Sequence, residues 1–181
     1  MKGRVKWAVA VAVVAGATAV GTVAVAGGGK QFDEDLTGYE EVPAISTTGN
    51  GEFQARIDRR NERILYRLSY EDLEGDVLQA HIHFGQRAVN GAVVAFLCSN
   101  LMNPPAGTPA CPGPREGTVE GVIERDDVQG TPQGIAAGEF EELVDAMRAG
   151  VTYANVHSSL WPGGEIRGQL DRGRHFDDDD D

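Results

Sequence analysis

The sequence predicts a mostly β domain carrying one short amphipathic helix, and three observations lead there. Gly is abundant, at 24 of 181 residues, beside a hydrophobic fraction of 41%; that mixture suits short strands joined by many turns better than long helices. Apolar and polar residues alternate with period two in several successive segments, as in strands that bury one face. One segment, Glu139 to Ala149, instead repeats its apolar residues at helical spacing.

Taken in order, Gln31 to Leu36 reads as a first, edge strand that ends in the turn-prone Thr37 to Pro43. Phe53, Ala55 and Ile57 then alternate with Glu52, Gln54, Arg56 and Asp58, and Ile64, Tyr66, Leu68 and Tyr70 alternate with polar residues beyond a turn at Arg60 and Asn61; together they form a hairpin. Asp76 to Phe84 is a third clear strand. Leu78, Ala80, Ile82 and Phe84 share one face, and Val77, Gln79, His81 and His83 share the other. Asn90-Gly91 marks a turn, after which Ala92 to Cys98 is a continuous apolar run, as in a buried strand. Gly117 to Glu124 is a further strand whose facing the pattern leaves open. In the helix, Phe140, Leu143, Val144 and Met147 fall at i, i+3, i+4 and i+7, a stripe for core packing, and Gly150 is placed to end it. Val151 to His157 and Glu165 to Leu170 are the last strands, on either side of the turn Trp161-Pro162-Gly163-Gly164. No internal repeat is evident.

The ends of the chain address its destination. Met1 to Lys6 holds three positive charges, Trp7 to Val25 is without a charged residue, and Ala24-Val25-Ala26 fits a small-residue cleavage site. Residues 1–26 are therefore expected to be a signal peptide cleaved after Ala26. The competing reading is an uncleaved anchor, since Trp7 to Ala26 nears the ~20 residues that span a bilayer; its Ala, Val, Gly and Thr content and the following Gly27 to Gly29 favour cleavage. Both readings place the domain outside, secreted or at the cell envelope. Residues 27–30 form a linker, 31–170 the β domain, and 171–181 an acidic tail, ending in Asp177 to Asp181, that is expected to be disordered. The formal net charge of -12 argues against a nucleic-acid partner, which needs a basic surface. Cys98 and Cys111, both in the exported part, suggest one disulfide closing a Pro-rich, Asn-rich loop.

The residues with chemical potential are His81, His83 and His157, three of four histidines in the chain. A His-x-His pair on one strand places two imidazoles on one side of a sheet, about 6.5–7 Å apart along the backbone. A third from another strand completes a nitrogen-rich set suited to copper or zinc. Gln79, Asn155 and Glu165 are candidates to orient the rings from behind. The alternative is a structural polar network in which each imidazole bonds backbone or carboxylate. Ser158 and Ser159 follow His157 but lack a strained nucleophile elbow, so hydrolysis is remote. No Gly-rich phosphate loop leads into a helix.

Several segments taken together resemble the CHRD family: Tyr39-Glu40-Glu41-Val42-Pro43, Gln79-Ala80-His81-Ile82-His83-Phe84-Gly85, Asn90-Gly91, Tyr153-Ala154-Asn155-Val156-His157, and Pro162-Gly163-Gly164-Glu165-Ile166-Arg167-Gly168-Gln169-Leu170. The resemblance covers about 31–170. It implies an antiparallel Greek-key β-sandwich or barrel, superoxide dismutase-like or immunoglobulin-like, with no general enzymatic reaction. His81-Ile82-His83 is also similar to the strand-borne copper pair of the copper,zinc superoxide dismutases, and Val156-His157 to their later copper histidine. The bridging histidine and zinc cluster of those enzymes have no counterpart here, and the remaining His175 lies in the acidic tail, so the likeness does not imply dismutase activity. Glu41, Gly164, Gly168, Glu165 and Arg167 also have readings as fold motifs, the last two as a same-face ion pair. The expectation is an exported CHRD-type module that binds a protein or cell-envelope partner or serves a structural role without catalysis; the alternative is a copper or zinc protein built on His81, His83 and His157.

Overall fold

A computed structural model describes residues 32–171. The expected leader at 1–26, the linker at 27–30 and the acidic tail beyond residue 171 lie outside the described residues. Eight strands follow in order: β1 (Phe32–Thr37), β2 (Asn50–Asp58), β3 (Arg63–Glu71), β4 (Val77–Phe84), β5 (Ala92–Ser99), β6 (Gly117–Ile123), then helix α1 (Phe140–Arg148), β7 (Thr152–Ser158) and β8 (Ile166–Gln169). All lie in one sheet with the order β5-β4-β7-β8-β1-β2-β3-β6, and every neighbouring pair is antiparallel. The β3–β4, β5–β6 and β6–β7 connections skip between non-adjacent strands, the Greek-key trait. The sheet curls into a nearly closed barrel whose two ends meet at β5 and β6. There the Tyr66 hydroxyl on β3 donates to the Leu97 carbonyl of β5 at 2.6 Å, and the Gln129 amide donates to the Val94 carbonyl at 2.8 Å.

The alternating residues of the sequence line the inside. Phe53, Ala55 and Ile57 of β2, Ile64, Tyr66, Leu68 and Tyr70 of β3, and Ala80 and Ile82 of β4 are buried in one core with Val94, Leu97, Val156 and Ile166. The facing of β6 is settled by burial: Val119 and Ile123 turn inward, and Val122 outward. Phe140, Leu143, Val144 and Met147 of α1 join the same core, and Gly150, at φ +70, turns the chain out of the helix. Cys98 and Cys111 have their sulfurs 2.06 Å apart, at disulfide distance, tying the end of β5 to the loop that follows it.

Two sequence expectations are corrected. The first strand is not an edge: β1 pairs with β2 over its whole length and with β8 on its other side. Its short length and neighbouring turn suggest an edge, yet the edge role falls to β5 and β6, because barrel order is set by long-range pairing. Val77, assigned to the histidine face, is buried in the core. The β4–β7 register shifts between Val77 and Gln79, and such an irregularity breaks the period-two facing at that point.

Candidate metal centre

β4 and β7 are hydrogen-bonded neighbours, with His81 opposite Asn155, His83 opposite Tyr153 and Gln79 opposite His157. Period two then gathers His81, His83 and His157 on the face opposite the core residues Ala80 and Ile82. That outer face is nonetheless covered, and the three residues are only 2%, 7% and 7% exposed. Phe96 of β5 meets His81 edge-on with ring centres 4.5 Å apart, and Tyr153 stacks on His83 at 4.7 Å and 3°. The segments at Gly91 and Pro162 supply carbonyl groups to His83 and His157.

Those carbonyls determine the tautomers, because a carbonyl oxygen only accepts. His157 Nδ1–H donates to the Pro162 carbonyl at 3.0 Å, and His83 Nδ1–H donates to the Gly91 carbonyl at 3.0 Å. Each ring is thereby left with its Nε2 lone pair. His81 Nδ1 lies 3.1 Å from His157 Nε2. The Nε2 atoms of His81 and His83 are buried without a partner. Burial pushes His81 down to about 2, aided by His157 and His83. Burial likewise brings His83 down to about 4 against the opposing bond to Gly91, and it lowers His157. Neutral imidazoles are the form that ligates a metal.

One ring nitrogen from each histidine lies within 4.8 Å of the others, and among the described residues no other group of His, Cys, Asp or Glu is placed to hold a metal. Nitrogens bound at about 2.0–2.1 Å stand roughly 3.3–3.6 Å apart in tetrahedral or trigonal geometry. The 3.1 Å pair is slightly closer than that spacing, and a separation at the 4.8 Å limit would close by about 1.2–1.5 Å on ligation. The donor set, its neutral state and the unpartnered Nε2 of His83 fit an ion such as copper or zinc.

The surrounding residues divide by what they touch. Tyr153 carries His83 on one face and the Arg167 guanidinium on the other, 3.4 Å from the ring centre. Arg167, 1% exposed, donates to the Val89 carbonyl at 3.1 Å. Gly91 serves both rings: its amide donates to the Tyr153 hydroxyl at 3.0 Å while its carbonyl accepts from His83. Asn155 lies beside His81 and uses its Nδ2 to donate to Glu41 Oε1 at 2.5 Å and to the Ile166 carbonyl at 2.9 Å. Gly164 leaves room for that pair, since a Cβ there would lie 2.5 Å from Glu41 Oε1. Glu165 is placed away from the rings, its carboxylate accepting from Thr47 and from the Glu74 and Gly75 amides. The same-face pair of Glu165 with Arg167 does not form, because each is bound by a different loop. Gln79 Oε1 is buried without a partner and bonds to no imidazole. Sequence reasoning passed over Gly91, Tyr153, Phe96 and Pro162 as site residues. Tyr153 shares the parity of His157 and was legible on that ground; the other three reach the site only through folding.

Comparison with known proteins adds one finding. The family described as the CHRD domain matches residues 32–170. No curated protein and no solved structure matches the chain.

Proposed function

The chain belongs to the CHRD domain family, and from that premise we propose that it is an exported CHRD-domain protein that holds one copper or zinc ion through His81, His83 and His157. The observation that carries this reading is the convergence of three buried imidazoles, one ring nitrogen of each within 4.8 Å of the others, with the Nε2 of His83 left unpartnered beside a ring oriented by Pro162. A buried acceptor without a donor costs about 1–3 kcal/mol, a cost that a bound ion would relieve at His83 Nε2. A bound ion would supply a Lewis-acidic centre and, if copper, a one-electron couple. The chain's own contribution is to hold the rings neutral, oriented and screened from water.

Export is supported by the leader-like residues 1–26 and by the cysteine pair, which suits an oxidising space. Among the described residues no helix is long and apolar enough to cross a membrane. A second reading, a non-enzymatic module that engages an extracellular or envelope partner without metal, is favoured by the hydrogen bonds linking His81 to His157, His83 to Gly91 and His157 to Pro162.

Metal analysis of untagged protein separates the two. The expected result is one ion per chain, lost when any of the three histidines is replaced by alanine. Metal content unchanged in the triple variant overturns the metal-binding reading.

A further inference from the structure

We infer that this site selects its ion by charge and takes monovalent copper in preference to zinc. The inference rests on the metal-binding reading above and concerns which ion the same three histidines hold. All three donors are neutral, and the ligating group contains no carboxylate or thiolate. The Arg167 guanidinium sits against the far face of the Tyr153 ring that stacks on His83, 3.4 Å from the centre of that ring. Arg167 is itself buried, so water screens it weakly. Glu41, a buried carboxyl whose ionisation burial disfavours, attracts Arg167 and is engaged by Asn155 rather than by an imidazole. Coulomb repulsion from Arg167 scales with the charge of the ion, so a divalent cation suffers twice the penalty of a monovalent one.

Coordination number points the same way. Zinc is almost always four-coordinate and needs a fourth protein ligand or a water. Here the described residues offer three ligands, Phe96 and Tyr153 wall the rings, and the free Nε2 atoms of His81 and His83 are inaccessible to solvent. Monovalent copper, with half the charge of zinc to neutralise, accepts two or three ligands and is satisfied by three imidazoles.

The test is anaerobic competition on the full untagged chain: bicinchoninate for copper(I) under ascorbate, and a pyridylazo-resorcinol chromophore for zinc. Copper(I) is expected at one per chain, bound more tightly than zinc by about a hundredfold or more. Arg167→Gln is expected to narrow that ratio about tenfold, and Arg167→Lys, which keeps the charge, to narrow it less. Zinc bound as tightly as copper(I), with both ions dependent on the three histidines, overturns the selectivity and leaves the metal site standing. Absence of histidine-dependent binding of either ion overturns both. Should Arg167→Gln not fold, the comparison on the unaltered protein still decides.

Discussion

Gly91 shows how one residue can hold two rings. Its amide and carbonyl bond Tyr153 and His83, and a Cβ there would stand 1.8 Å from the Phe84 carbonyl oxygen. Gly91→Ala therefore has to move the turn, release the Nδ1–H of His83 and free that ring to rotate. Metal affinity is expected to fall about 10–100-fold, the usual effect of losing an orienting contact, and a competition titration reads it directly. Glu41 offers a different handle. Its carboxyl is 7% exposed, and burial pushes it up to about 7. A raised carboxyl favours the folded state below its ordinary value near 4.5, and that benefit is lost as pH rises through 7. The histidines act in the opposite sense: His83, brought down to about 4, favours folding above its ordinary 6.5 and loses that benefit as pH falls toward 4. Glu41→Gln removes the first effect alone. Between pH 5 and pH 7.5 the metal-free variant should gain stability relative to the unaltered protein, by up to about 3 kcal/mol; denaturant unfolding at the two pH values measures it. The placing of the histidines on a common face was legible from parity. The lone pairs were not, since each tautomer depends on a carbonyl from a distant turn.

At the scale of elements, β5 carries two register irregularities against β4, so that His81 faces Phe96 and His83 faces Val93. Val94 and Leu97, left out of the pairing, are both fully buried. The apolar run Ala92 to Cys98 announced a buried strand, but a run with no alternation cannot tell which residue is inserted. The helix was more explicit. Its four stripe residues are all without exposure, and Leu143→Ala is expected to cost about 2–5 kcal/mol through the cavity it leaves, as read from the denaturation midpoint. The disulfide acts on the loop beyond β5, whose Asn100 side chain also donates to the Val77 and Cys111 carbonyls. Replacing both cysteines by serine should lower stability by roughly 3 kcal/mol, the loop-closure contribution for a ring of this size, and reduction of the unaltered protein should shift the midpoint equally. The edge assignment of β1 failed because an edge is a property of the sheet.

For the whole molecule, ligand linkage joins the site to the barrel. β4 and β7 lie next to each other near one end of the sheet order, and an ion that binds only the folded state stabilises all of it. At free metal a hundredfold above the dissociation constant the gain is about 2.7 kcal/mol. Addition of a chelator should therefore lower the unfolding midpoint of loaded protein, and the triple histidine variant should show no such change. The proposed export adds a prediction for the chain as a whole: protein recovered from the cell exterior should begin at Gly27, by N-terminal sequencing, as the proposed cleavage after Ala26 requires.

What the sequence determined by itself was whatever depends on near neighbours: the facings of β2 and β3, the α1 stripe, the turns, and the side of β4 on which His81 and His83 project. These follow from periodicities of 2 and 3.6, which a linear chain records in full. The family match agrees with the motifs distributed from Tyr39 to Leu170. Tertiary structure alone decided that β7 lies beside β4, so that His157 meets His81 at 3.1 Å. It also decided that Arg167 turns from Glu165 to the face of Tyr153, and that two nitrogens are buried without partners. Each of these depends on pairings between residues tens of positions apart, and on the removal of water from between them, neither of which a local pattern encodes.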